Sequence, residues 1–292
     1  MMFNTVAIIG LGLIGGSIAR MLKKKNHEIV ISAYGRNPEL LQSAKEEGII
    51  DNIGSINKID CSGVDLFIVA TPVLSSIDLI QSLLSSDDLK NEALIIDAGS
   101  VKQSIIDAII AHDKACQFIG CHPMAGSEKS GYQYSSHSLL GNAWVIITPH
   151  DKNKESDIKK IEAFWKMLEC NTIIIDAQLH DTGVAYSSHL PHIASTALVD
   201  SFDSITNNTY STIEPFIGKG FRDMTRLAGG KPDMWADIVL LNHGNIVNAL
   251  DSYINSLLHI KSIMQQAAQT NDRTLLYRYF ATIRQKWEKY NE

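Results

Sequence analysis

At 292 residues with 45% hydrophobic content, the chain can bury a full core and is long enough for two domains. Its formal net charge of −6 argues against nucleic acid or an anionic membrane as partner, while a local cluster of Arg and His could still receive an anionic small molecule. Cys61, Cys116, Cys121 and Cys170 form no CxxC and no metal-ligand spacing, so they read as reduced core thiols; with no basic n-region or membrane span, a cytoplasmic protein is expected.

The most informative stretch comes first. From Val6 to Ser17 the chain reads VAIIGLGLIGGS, a four-residue apolar run meeting Gly10, Gly12 and Gly15 before an apolar-periodic stretch from Leu13 to Leu22. This is a buried strand turning into a helix through a G-x-G-x-x-G spacing. Gly10 suits the tight turn, Gly12 lets backbone approach a pyrophosphate, and Gly15 lets helix and strand pack closely. The amides that open the helix, at Leu13 and Ile14, face the anion at a positive dipole end.

Further strands are predicted at Glu28–Tyr34, Asp65–Ala70, Ala93–Asp97, Gln117–Gly120, Ala143–Thr148 and Thr172–Asp176. With helices between the earlier ones, they predict a parallel sheet wrapped on both faces, an α/β Rossmann-type doubly wound domain over residues 1–176. After Asp176 the pattern is helical: Gln178 to about Phe202, a short piece at Phe221–Leu227, Pro232 to about Ala268, and about Asp272 to Tyr290. Residues 177–292 therefore read as an all-helical second domain. Ile238, Leu241, Val247, Leu250, Ile254, Leu257 and Ile260 give an apolar face too long for a lone surface helix, which predicts packing against another subunit, a homodimer.

Ligands in such sheets bind beyond the carboxyl ends of the strands. The second strand ends in Tyr34-Gly35-Arg36-Asn37, where an NAD enzyme usually carries an acid for the ribose hydroxyls. Gly35 removes bulk and charge there, and Arg36 offers a planar fork for a 2′-phosphate, favouring NADP over NAD. Later strands end in Thr71-Pro72, in Asp97-Ala98-Gly99-Ser100-Val101-Lys102 and in His122-Pro123-Met124-Ala125-Gly126, lining one rim with polar groups. A histidine on that rim can take a proton near neutral pH while a hydride leaves the same carbon, as alcohol oxidation requires.

In the helical half, Ser188-His189-Leu190-Pro191-His192 sets a proline inside a helical run, where it kinks the chain, and puts His189 and His192 on one face. No acid or Cys completes a metal site with them. Gly218 to Arg226 holds Lys219, Arg222 and Arg226, a candidate carboxylate receptor.

Through GLGLIGGS at 10–17, DAGSVK at 97–102, CHPMAGSEKSG at 121–131, SSHLPH at 187–192 and GFRDMTRLA at 220–228, the chain resembles the prephenate dehydrogenases, a family that includes arogenate and cyclohexadienyl dehydrogenases of tyrosine biosynthesis. The resemblance implies oxidative decarboxylation of prephenate to 4-hydroxyphenylpyruvate, or of arogenate to tyrosine. It implies that His122 takes the substrate hydroxyl proton, that Ser100 places that hydroxyl and the nicotinamide, and that His189 and His192 line the pocket. Arg226 would receive a substrate carboxylate, with Arg222 nearby and Glu128 and Asp223 in an ionic network around it. Gly35-Arg36 departs from the commoner NAD-using pattern. Another two-domain hydroxyacid dehydrogenase, or an NADP-sensing protein without catalysis, are the competing readings.

Overall fold

The run at the start of the chain forms β1 (Thr5–Ile9), in the interior of an eight-stranded sheet, in a computed structural model that describes residues 3–126, 131–206 and 213–291. The other strands are β2 (Val30–Gly35), β3 (Asn52–Ser55), β4 (Leu66–Val69), β5 (Leu94–Asp97), β6 (Phe118–Pro123), β7 (Trp144–Thr148) and β8 (Asn171–Ile174). They lie in the order β3-β2-β1-β4-β5-β6-β7-β8. Val6–Ile9, Leu66–Val69 and Leu94–Ile96 are buried throughout, as expected of interior strands covered on both faces. The covering helices are α1 (Leu13–Lys25), α2 (Pro38–Glu46), α3 (Val73–Leu84), α4 (Gln103–Ile109) and α5 (Glu155–Met167).

The sheet departs from the sequence reading in three places. β3, with the sequence NIGS, was not expected: three of its four residues are exposed, so it offers no apolar run. It earns its place at the edge by pairing with β2, where the Tyr34 ring lies so close over Gly54 that an added Cβ would sit 2.4 Å from its Cε1. β7 runs antiparallel to β6, not parallel. Among the described residues, the connection between them contains only two single 3₁₀ turns, Tyr132–Tyr134 and His137–Leu139, and no crossover helix of the kind a parallel neighbour needs. Finally, β6 reaches Pro123 instead of stopping at Gly120. Its first residues pair with β5 and its last four with β7, so His122 stands beyond the point where β5 pairing ends.

In the helical part, α6 (Ala177–Val184) runs through a π-helical turn, Ala185–His189, into α7 (Leu190–Thr206). Pro191 accounts for the widened turn: it has no N–H for the carbonyl four residues back, and its ring crowds that carbonyl. A short helix, α8 (Lys219–Thr225), leads into a 3₁₀ turn, Arg226–Gly229. The expected helix from Pro232 to about Ala268 is two, α9 (Pro232–Leu241) and α10 (His243–Thr270), because Asn242 leaves helical geometry at φ −118° and ψ 22°. The last helix is α11 (Arg273–Asn291).

By compactness the chain divides into two units, 1–243 and 244–292. The first unit extends that far because α6 is bonded directly to the sheet layer: the Asp181 carboxylate accepts the backbone N–H groups of Lys102 at 2.8 Å and Gln103 at 2.9 Å, at the start of α4. In the second unit Val247, Ile254, Leu257, Leu258, Phe280 and Trp287 are exposed. Of the four free cysteines, Cys61, Cys121 and Cys170 are buried as expected, whereas Cys116 is partly exposed.

A buried ion pair organises the carboxyl edge of the sheet. Asp97 and Lys102 pair with both side chains at 0% exposure. Further bonds hold both groups: Asp97 accepts Gly99 N at 2.9 Å and Cys121 N at 3.0 Å, and Lys102 Nζ donates to Cys121 O at 2.9 Å. Breaking such a pair leaves a buried charge without a partner. Lys102→Met is therefore expected to destabilise the protein by about 3–5 kcal/mol, read by urea unfolding; a loss below about 1 kcal/mol would show that the pair does not anchor this edge.

Candidate functional site

The glycine loop has the geometry its spacing predicts. Gly10 adopts φ +95°, and an added Cβ would fall 2.5 Å from the Ala70 carbonyl oxygen and 2.8 Å from Thr71 Cγ2, so the loop lies against the end of β4. At Gly15 a Cβ would sit 2.1 Å from the Gly10 carbonyl oxygen, which only glycine permits. By contrast, nothing lies within 4 Å of a Cβ at Gly12. That open space fronts a helix start where Gly12 supplies no side-chain cap and the first turn carries no acid, leaving the amides around Leu13 and Ile14 for an anion. The loop thus fits a dinucleotide pyrophosphate. Next along the edge, Thr71 Oγ1 bonds Ser76 Oγ at 2.9 Å, and Pro72 caps the start of α3.

At the ends of β2 and β3 there is a cavity of about 490 Å³, lined by Gly35, Arg36, Pro38, Leu41, Gly54 and Asn57 among others. Arg36 is exposed at its mouth, and none of the lining residues is an acid.

On the other side of the glycine loop, the turn from Ala98 to Lys102 carries half-buried Ser100, and β6 carries half-buried His122. His122 Nδ1 lies 2.8 Å from His180 Nε2, and His180 Nδ1 lies 2.7 Å from Asp181 Oδ1. His180 and Asp181 are both 1% exposed. Sequence reasoning missed this pair; its one signal was a His–Asp doublet on the helix face continued by buried Val184. Burial first, then the neighbouring His180, Lys102 and His189, lowers the His122 imidazole well below its ordinary value, so the ring is neutral at pH 7.

The histidine cluster of the helical part follows from the π turn. His189 is buried, and desolvation brings it down to about 4. Its Nδ1 lies 3.2 Å from Asn242 Nδ2, which also donates to the Asp181 carbonyl at 2.8 Å. That carbonyl can only accept, which orients the amide; His189 Nδ1 is then the acceptor and Nε2 carries the hydrogen. Nε2 is buried with no hydrogen-bond partner in the protein, a donor ready for a ligand oxygen. His192, also lowered by burial, donates from Nδ1 to Leu227 O at 2.8 Å and stacks on Trp235 with ring centroids 3.6 Å apart. Ala228 N donates to Ser195 Oγ at 2.9 Å. These two bonds pin the Arg226–Gly229 turn to α7.

Arg222, Asp223 and Arg226 are exposed around that turn. Glu128, expected to join them, lies outside the described residues. The arrangement thus brings His122, His189 and His192 to the helical side of the sheet edge, with Trp235, Asn242, His180 and Asp181 as partners the sequence did not announce. Among the described residues no group of three or more His, Cys, Asp or Glu could hold a metal ion, and no helix is long and apolar enough to cross a membrane.

Comparison with known proteins agrees with this architecture. Residues 18–174 match the family model for the prephenate dehydrogenase nucleotide-binding domain, and residues 176–282 match that for the prephenate dehydrogenase dimerization domain. The chain is 33% identical to a prephenate dehydrogenase of Bacillus subtilis over 97% of this chain and 75% of that one. It is 29% identical to a cyclohexadienyl dehydrogenase of Zymomonas mobilis over 94% of this chain and 92% of that one. A crystal structure of prephenate dehydrogenase from A. aeolicus, in complex with hydroxyphenyl propionate and NAD+, superposes with a TM-score of 0.89 at 32% identity, covering 98% of each chain. Glycine-loop sheet and helical second part are thus those of a pyridine nucleotide-dependent dehydrogenase, and the chain belongs to the prephenate dehydrogenase family.

Proposed function

We propose that this chain oxidatively decarboxylates prephenate to 4-hydroxyphenylpyruvate, with His122 as the base. The single observation that carries the assignment is His122 itself: a neutral imidazole on the carboxyl edge of the sheet, with one ring nitrogen engaged by His180 and the other left to act. The reaction removes a hydride from the ring carbon bearing the hydroxyl, passes the hydroxyl proton to His122 and releases the ring carboxylate as carbon dioxide; aromatisation drives it. When bound, the oxidised nicotinamide supplies the hydride acceptor. Gly10, Gly12, Gly15 and the amides at Leu13 and Ile14 would hold the pyrophosphate, with Gly35, Arg36, Thr71, Pro72 and Ser100 along the rest of the cofactor.

The remaining groups need only bind and orient a dianion. Buried His189 offers Nε2–H to a substrate oxygen, His192 fixes the Arg226 turn against α7, and Arg226, with Arg222 nearby, receives a carboxylate. Ser100 helps place the hydroxyl. Glu128 belongs to the proposed network around Arg226. Functionally we divide the chain at residue 176 into a dinucleotide-binding part and a substrate and dimerisation part, a division supported by where the two family models meet. The exposed apolar side chains of the second unit, together with the match to a dimerization domain, support a homodimer. The free cysteines accord with a cytoplasmic enzyme.

We favour NADP as cofactor. The 490 Å³ cavity at Gly35 and Arg36 has an arginine and no acid among its lining residues, which suits a 2′-phosphate better than two ribose hydroxyls. The A. aeolicus relative holds NAD+, so the choice is decided by rates. Prephenate and arogenate, each with NAD and with NADP, form a two-by-two comparison that resolves substrate and cofactor together. NADP is expected to give the higher kcat/KM, and Arg36→Ala to raise the KM for NADP at least tenfold more than that for NAD; equal losses reject the preference.

His122→Asn is expected to lower kcat by about 10²–10⁴ while cofactor affinity, read by fluorescence titration, survives. Comparable turnover in the variant removes His122 from the mechanism. The pH profile checks the same assignment with a definite sign. Because burial lowers the His122 pKa, the base stays unprotonated through neutrality and is lost only as pH falls. The acid limb of kcat/KM is therefore expected below the ordinary histidine value of about 6.5, and to vanish in His122→Asn.

A further inference from the structure

We propose that His180 and Asp181 are positioning residues that hold His122 in its Nδ1–H tautomer, leaving Nε2 as the proton acceptor. The assignment follows from which groups can only accept. The Asp181 carboxylate receives three donors: Lys102 N at 2.8 Å and His180 Nδ1 at 2.7 Å on Oδ1, and Gln103 N at 2.9 Å on Oδ2. His180 must therefore carry its hydrogen on Nδ1. With His180 neutral, as this proposal takes it, Nε2 is an acceptor, and the group it faces, at 2.8 Å, is His122 Nδ1, which then donates. The hydrogen-bond chain thus runs His122 to His180 to Asp181, and it ends on two backbone amides at the start of α4, the segment that follows the Ser100 turn.

The direction matters. A free neutral imidazole favours hydrogen on Nε2, the form useless as a base at that atom. Fixing the hydrogen on Nδ1 exposes the Nε2 lone pair, and when Nε2 takes a proton the resulting cation is bonded through His180 to a carboxylate. The rings of His122 and His180 meet edge to face, at 5.1 Å between centroids and 73° between planes. Among the described residues, the other titratable groups that act on His122 are Lys102, bonded to Asp97 at the other side of the Cys121 backbone, and His189, which bonds Asn242. Neither offers His122 Nδ1 an alternative acceptor.

The inference rests on His122 being the base, and a readout without turnover separates the two. In the full-length protein labelled with ¹⁵N-histidine, long-range ¹H–¹⁵N spectra report the tautomer of each ring, with His122 assigned by its loss in His122→Asn. His122 is expected to be Nδ1–H in the wild type, and Nε2–H in His180→Phe, with kcat falling roughly 10²-fold and cofactor affinity unchanged. His180→Gln, whose side-chain oxygen can accept the same hydrogen, is expected to restore the Nδ1–H signal and part of kcat. An Nε2–H ring in the wild type, a measurement that needs no variant to fold, or a tautomer unmoved by His180→Phe, overturns the positioning role. A tautomer that moves while kcat does not instead removes His122 as the base, and with it the catalytic purpose of the chain of bonds.

Discussion

The Asp97–Lys102 ion pair is the constraint on which the site depends. Asp97 ends β5 and Lys102 precedes α4, so their bond closes the turn carrying Ser100; both also grip the backbone of Cys121, the residue before His122. One buried interaction thereby sets the turn and the histidine relative to each other. The surroundings are shaped to admit it: a Cβ on Gly99 would lie 2.9 Å from Asp97 Oδ2, and one on Gly120 would lie 3.3 Å from Lys102 Cδ. A buried ion pair is a weak source of stability compared with apolar packing of the same volume, so its value here lies in geometry. It fixes a strand past the end of its parallel neighbour, where a hydrogen-bonding partner would otherwise be missing.

From that anchor, a hierarchy of obligate acceptors extends into the histidine cluster of the helical part. Backbone carbonyls and carboxylates cannot donate, so each assigns a hydrogen to the ring or amide facing it: Asp181 to His180, the Asp181 carbonyl to Asn242, and Leu227 O to His192. Desolvation keeps His122, His189 and His192 neutral at pH 7, and a neutral ring has one donor and one acceptor nitrogen whose identities are then determined. The candidate site is thus an ordered set of directions at neutral charge, while the proposed carboxylate-binding Arg222 and Arg226 are exposed.

What was legible in the sequence was whatever a repeating pattern or a spaced glycine writes into neighbouring residues. Seven of the eight strands follow from apolar runs, and the spacing of Gly10, Gly12 and Gly15 is written in one short stretch, although what confines Gly10 is Ala70 and Thr71 after β4. β3 escaped because an edge strand with exposed side chains needs only backbone partners, and the reversal of β7 escaped because strand direction depends on how a connection returns, not on what the strand contains. At the site, His122 and the His189–His192 pair were readable as polar residues interrupting apolar or helical pattern. His180, Asp181 and Asn242 were not, since each takes its role from a partner 53 to 79 positions away, as with Asp181 and Lys102 at a separation of 79.

Two violations of helical regularity converge on His189, and together they account for a buried ring with an unpartnered nitrogen. Pro191 cannot donate to the carbonyl of Ser187, and the chain answers with the π turn that ends at His189. Asn242 abandons helical geometry between α9 and α10, and its freed side chain bridges the Asp181 carbonyl and the His189 ring. In a regular helix, position 189 would be one more packed side chain. Here the widened turn and the interrupted helix leave Nε2 buried and unpaired, a donor whose desolvation is offset only when an acceptor arrives. Local sequence preference and global fold disagree at these two points, and in a chain that otherwise obeys its own patterning such disagreements mark where structure has been bent toward binding.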